Sequence, residues 1–149
     1  MILSDRPDPA AVAAALRALS RDMGDPYLMP DATVARALAA GIAGAILAED
    51  SAPRGVALYS LFLSTTRGQV GAFVTDLWVD ASQRGTGLGR RLLAAVRDRA
   101  AADWGTTFLR LNFYADNGPA AAFYTRLGFR AKPQETWVTL EGPDLDALQ

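Results

Sequence analysis

The chain has 149 residues, half of them apolar and 21% charged, with a formal net charge of −1. That is the size and mix of one globular domain, and it excludes a disordered chain, a coiled coil and a collagen-like repeat. Cys and His are both absent, so there is no disulfide, no thiol nucleophile, no Ser-His triad and no zinc site built on either residue. Acid–base chemistry is left to Asp, Glu, Tyr, Arg, the single Lys132 or water. The balanced charge offers no footprint for nucleic acid and no polybasic patch for a membrane. No apolar run reaches the ~20 residues of a membrane-spanning helix. The opening Met1-Ile2-Leu3-Ser4-Asp5-Arg6-Pro7-Asp8 lacks the apolar stretch of a signal peptide. A cytoplasmic protein, one domain over residues 1–149, is expected.

In chain order, a short strand over 2–4 precedes a helix opened by Asp8-Pro9, whose stripe is Val12, Leu16 and Leu19. It ends about Met23, before Gly24 and Pro26. Asp31 caps a second short helix that stops at Gly41. Residues 44–49 and 56–65 read as strands joined by the turn 50–55, and 71–79 as a third, so the middle of the chain is an antiparallel meander. The clearest helix covers 87–104. Leu88, Leu92, Val96 and Ala100 step by four along one face, with Leu93 beside them and Gly105 as the stop. A strand over 108–114 follows. Asn117-Gly118-Pro119 opens a further helix that Gly128 closes, and 129–131 and 136–140 finish as strands. The sum is an α/β (α+β) fold: a mixed, mostly antiparallel sheet of about six or seven strands flanked by about four helices.

The most informative segment runs from Leu77 to Arg91, where a strand ends, a glycine-rich turn follows and an amphipathic helix begins. Glycines let backbone approach a ligand closely, and the first N–H groups of a helix have no intrahelical partner. Together they make an anion site, for which phosphate is the usual guest. Arg84, Arg90 and Arg91 add positive charge. A P-loop needs a Gly-Lys dipeptide, which is missing. A dinucleotide fingerprint fits Gly85 and Gly87 but finds Arg90 at its third glycine. The pattern R-x-x-G-x-G is met in full by Arg84, Gly87 and Gly89. A tight turn with no ligand is the plainer alternative, although it does not require alternating glycines beside an arginine cluster.

Downstream, Asn117, Phe123-Tyr124 and Leu127-Gly128-Phe129 follow N-x-x-A-x-x-x-Y-x-x-x-G-F. With Arg84 to Gly89, these residues resemble the two signature motifs of the GNAT superfamily of N-acetyltransferases, most strongly over 75–129. Ser64-Thr65-Thr66-Arg67-Gly68 and Thr75-Asp76-Leu77-Trp78-Val79 are also similar to runs of its diamine and thialysine acetyltransferase branch. Thr75 departs from that branch, which carries a Glu there.

The resemblance implies a GNAT fold, acetyl-coenzyme A as cosubstrate, no metal, and a primary amine as acceptor. It implies a splayed pair of strands with the pantetheine arm wedged between them. Leu77 N–H would face the thioester carbonyl, and the backbone of Trp78 and Val79 would lie along the arm. The loop Arg84, Gly85, Thr86, Gly87, Leu88, Gly89 and Arg90 would hold the pyrophosphate, and Asn117 would contact the arm farther along. Tyr124 is the candidate general acid, since a phenol with pKa near 10 keeps its proton at neutral pH. The alternative for Tyr124 is a helix aromatic in the packing.

Asp76 is the first candidate base, set against a carboxylate bonded into structure. Strand alternation puts Asp76, Trp78 and Asp80 on one face and Thr75, Leu77 and Val79 on the other. Glu49, Tyr59 and Glu135 are unranked further candidates, while Trp78 and Trp137 read as packing groups. The acceptor pocket would lie around residues 22–33, the strand 59–66 and the final strands. Acetylation of a protein or tRNA, and a non-catalytic acyl-coenzyme A sensor, are the rival readings. A homodimer is common in the resembled family, but no interface signature stands in the sequence.

Overall fold

The protein is described by a computed structural model covering residues 1–148. It forms two compact units, Met1–Asn112 and the segment from Phe113 onward.

In the first unit, β1 (Ile2–Ser4) leads to α1 (Pro9–Met23), whose Asp8 cap accepts from Ala10 N–H and whose end is Gly24 at φ 73°. Helix α2 (Asp31–Ala39) follows a Pro-bounded loop. Strands β2 (Ala43–Glu49), β3 (Pro53–Ser64) and β4 (Gln69–Val79) form the expected meander. A short 3₁₀ turn (Ala81–Gln83) precedes α3 (Leu88–Trp104), and β5 (Phe108–Leu111) completes the unit. The sheet order is β1-β2-β3-β4-β5, antiparallel throughout except for the parallel pair β4/β5. The sheet is thus mixed and mostly antiparallel, as the sequence pattern indicates.

Both faces of this sheet are covered. Val12, Ala15 and Leu16 of α1 and Val34 of α2 pack with Ala45, Leu47, Val56 and Trp78. On α3, Leu88, Leu92 and Val96 are buried. A Cβ on Gly55 would meet Leu92 Cδ1 at 3.0 Å, so α3 lies directly on β3. Beyond it, Trp104 meets Tyr59 edge-on at 5.8 Å. Residues 45–48 of β2 are all buried, which is why they read as an unbroken apolar run rather than an alternating one. Each large side chain of this core contributes about 1.5–3 kcal/mol relative to exposure.

The second unit holds α4 (Gly118–Arg126) and the single turn α5 (Pro143–Asp146). The sheet has five strands, fewer than the six or seven expected. Residues 129–131 and 136–140 join no ladder, and the strand expected over 108–114 stops at Leu111. Strand propensity in Thr136-Trp137-Val138-Thr139-Leu140 needs a partner to become a strand. Val138 is instead 88% exposed and Trp137 62% exposed.

Candidate active site

Strand β4 changes character at Thr75. Upstream, Gly71–Val74 are paired on both sides, with β3 and with Phe108–Leu111 of β5. The register with β3 then shifts: Tyr59 faces Val74 while Leu58 faces Asp76, so Thr75 is an extra, bulged residue. Its hydroxyl donates to Leu58 O at 3.2 Å, which pins the bulge. From Asp76 to Val79, β4 pairs with β3 alone. Alternate backbone N–H and C=O groups of this stretch therefore have no strand partner, and an amide-bearing chain can bond there as a strand would.

The glycine turn begins where this open stretch ends. Asp80 caps the 3₁₀ turn by accepting from Ser82 N–H at 2.9 Å. Gly85 and Gly87 adopt φ of 79° and 84°, a region that only glycine enters without strain. A Cβ at either position would meet nothing within 4 Å, so the space above the loop is open and the glycines are required by backbone conformation, not by packing. Helix α3 starts at Gly87 with no side-chain cap. Its first amides point out unsatisfied by side chains, while buried Leu88 anchors the turn to the core. Exposed amides, open space and a helix N-terminus fit the pyrophosphate of a coenzyme.

Arg84 is arranged differently from a free phosphate ligand. Its Nε donates to Val79 O at 3.1 Å and its Nη2 to Asp22 at 2.6 Å. The same Asp22 oxygen accepts from the Trp78 indole at 3.0 Å. Asp22, near the end of α1, thus ties together the open strand and the glycine turn. Trp78 is 6% exposed, as a packing group should be. Nothing in the sequence around Asp22 signals this link.

Asp76 is half-buried, on the face it shares with Trp78. Burial raises its carboxyl above the usual value, with the Thr75 side chain acting in the opposite direction. Tyr27, which sequence reasoning passed over within the 22–33 region, packs against the α1/α2-side core together with Leu58. Burial raises its phenol above the usual value, with Asp31 next. Other candidates lie elsewhere. Tyr59 is buried against Trp104, and burial, with Asp103 next, pushes its phenol up to about 12. Glu49 ends β2 beside Ile2 and Pro53. Glu135 belongs to the second unit.

In that second unit, the Asn117 side-chain oxygen caps α4 by accepting from Ala120 N–H at 3.1 Å. Tyr124 is 9% exposed, stacked on Phe113 at 5.4 Å and edge-on to Phe123 and Phe129 at 5.1 and 5.5 Å. Burial raises its pKa, so it is a protonated phenol at neutral pH. Among the described residues there is no group of His, Cys, Asp or Glu that could hold a metal ion, and no helix is long and apolar enough to cross a membrane.

A mixed sheet that opens along one strand, then a glycine turn into an uncapped helix, is the frame of an acyltransferase. Residues 13–129 match the Acetyltransferase (GNAT) family, and the chain belongs to it. It is 41% identical over 54 residues to the blasticidin-S acetyltransferase of Streptomyces morookaense, a match spanning 36% of this chain and 38% of that protein. Its fold is shared with a ribosomal-protein-alanine N-acetyltransferase from Brucella melitensis biovar Abortus 2308 (TM-score 0.72, 18% identity, 94% of this chain and 97% of that one). It is shared also with an aminoglycoside acetyltransferase from an uncultured soil metagenomic sample, solved with sisomicin (TM-score 0.75, 14% identity, 94% and 95%). Enzymes of this family use acetyl-coenzyme A and an acceptor substrate.

Proposed function

We propose that this acetyltransferase moves an acetyl group from acetyl-coenzyme A directly to a primary amine of a small molecule, the whole chain working as one domain. The observation that carries the reading is Asp76: a half-buried carboxyl on the stretch of β4 that lacks a second strand partner. The family match runs through both compact units, which supports their working together.

Acetyl-coenzyme A supplies an activated acyl group on a thiol that leaves readily. The backbone of Leu77, Trp78 and Val79 bonds its amide-bearing arm. The N–H groups of Gly85, Thr86, Gly87, Leu88, Gly89 and Arg90 receive the pyrophosphate, and Arg84 and Arg90 add positive charge. Asn117 contacts the arm through the amide group left over from its capping bond. Asp76 takes a proton from the bound ammonium, a task suited to a carboxyl whose pKa burial has raised. Tyr124 gives its proton to the departing thiolate.

The small-molecule acceptor is supported by the likeness to the Streptomyces blasticidin-S acetyltransferase and by a net charge of −1, which does not attract tRNA. The test is thiol release from acetyl-coenzyme A against a panel of alkylamines, blasticidin S, sisomicin, an N-terminal alanine peptide and tRNA. Turnover with small amines is expected. Turnover with peptide or tRNA alone would move the acceptor to the macromolecular class. Coenzyme binding without turnover would indicate a sensor.

A further inference from the structure

Strand β1 covers only part of the outer edge of β2. Its last residue, Ser4, pairs with Leu47, and among the described residues no strand faces residues 43–46 on that side. The sequence stops β1 there, because Pro7 and Pro9 have no N–H to give to a ladder. An ion pair from Asp5 to Arg99 at 3.2 Å ties the departing chain to α3 instead. Between this chain, α2, the start of β2 and the end of α3 lies a cavity of about 490 Å³. Its wall includes the bare edge at Ala43, Gly44 and Ala45. Helix α3 rises about 1.5 Å per residue, so Trp104 at this cavity stands about 24 Å along the helix from Leu88 at the glycine turn. The cavity is therefore separate from that turn.

Two kinds of unspent hydrogen-bonding group meet there. The first is backbone. A strand edge offers N–H and C=O groups at alternate residues, and the outward ones of residues 43–46 find no backbone partner. The second is Tyr59. It lines the cavity although only 2% exposed, and it makes no hydrogen bond to the described residues. Its ring tip lies over Gly44, where a Cβ would stand 2.6 Å from the hydroxyl oxygen. The missing side chain at Gly44 is thus what lets the tyrosine reach across β2 toward the bare edge. Burial, with Asp103 next, holds this phenol in its protonated form, so it donates at neutral pH. The charges in the wall are balanced: Asp5, Arg6, Arg99 and Asp103 sum to zero, and Arg99 pairs with both carboxylates.

We propose that this cavity binds a short, uncharged, extended peptide, which adds to the bare edge of β2 as a strand and accepts the Tyr59 O–H on a carbonyl oxygen. Backbone amides supply the alternating donors and acceptors that an open edge lacks. A strand advances about 3.4 Å per residue, so the bare edge spans about 13 Å and takes about two or three residues. The volume suits a ligand of that size. A wall without net charge selects neither sign, and Ala35, Ala39 and Ala43 leave room for small side chains only. The inference is independent of the acceptor amine and of acetyl transfer.

The probe is N-acetyl-L-alanyl-L-alanine N-methylamide, and its fully N-methylated analogue, which has no N–H to give, is the control. In ¹⁵N-labelled protein the amide resonances of Ala43, Gly44, Ala45 and Ile46 should move to saturation with the probe and not with the analogue. Those of Gly85 and Gly87 should stay in place. Tyr59→Phe keeps the ring and its contact with Trp104, so it should melt as the wild type does. It should bind the probe about fivefold more weakly, the worth of one neutral hydrogen bond. Ala39 lines the cavity from an exposed position on α2, so Ala39→Trp should fold normally and abolish binding. No saturable shift, an equal response to the analogue, or full affinity in either variant would each overturn the proposal. Shifts at Gly85 and Gly87 in place of the β2 edge would move the peptide to the glycine turn and overturn it as well.

Discussion

Asp76 is a half-buried carboxyl whose pKa burial raises, with the Thr75 side chain acting in the opposite direction. Its folded pKa lies above its unfolded value, so the folded state binds the extra proton between the two. Stability from this group is present at low pH and is lost as pH rises through the raised folded pKa. At pH 7 the ionised form is a cost, and Asp76→Asn should melt at an equal or higher temperature. The same variant should turn over more slowly at pH 7. It should recover in part at pH 9, where the neutral fraction of an alkylamine rises from about one in a thousand to about one in ten. A uniform loss of turnover with a lower melting temperature would make Asp76 part of the scaffold. Tyr124 is tested by removing one oxygen. Its ring contacts with Phe113, Phe123 and Phe129 survive in Tyr124→Phe, so melting should hardly change while turnover falls by roughly 10²-fold. Full turnover would mean that water protonates the thiolate.

At the scale of elements, the link from α1 through Asp22 to Trp78 and Arg84 joins segments far apart in sequence. Asp22→Ala leaves the buried indole N–H without its acceptor and removes one of the two partners of Arg84. A loss of about 1 kcal/mol is expected, measured by chemical unfolding. Coenzyme affinity should fall as well, because the turn loses its tie to α1. Unchanged stability and affinity would reduce the link to a surface contact. Much at this scale was legible in the sequence. Gly24, Gly87 and Gly105 mark helix boundaries as glycines at positive φ do, and the meander follows its turn residues. Asp76 and Trp78 share a face as alternation requires. The bulge was not legible: Thr75 is neither Gly nor Pro, and only the cross-strand register reveals the extra residue. Tyr27 was hidden for a similar reason. It stands among exposed Pro, Leu and Met, and only packing shows that it alone turns inward. The final strands misled because alternating β-formers look the same whether or not a partner strand exists.

For the whole molecule, the near-neutral charge, the absence of His and Cys and the paired motifs support the proposed acetyl transfer, in which carboxylate, phenol and backbone would be the tools. That chemistry depends on the glycine turn and the open stretch of β4 being the seat of acetyl-coenzyme A. Thermal unfolding with coenzyme A tests this most directly. At about 100 times its dissociation constant the ligand should stabilise the native protein by about 2.7 kcal/mol, raising the melting temperature by roughly 5–10 °C for a chain of this size. In Gly87→Val the side chain strains a backbone at φ 84° and fills the open space above the turn, so the shift should vanish. A wild-type protein that coenzyme A does not stabilise, or a Gly87→Val protein stabilised as much as the wild type, would contradict the assignment.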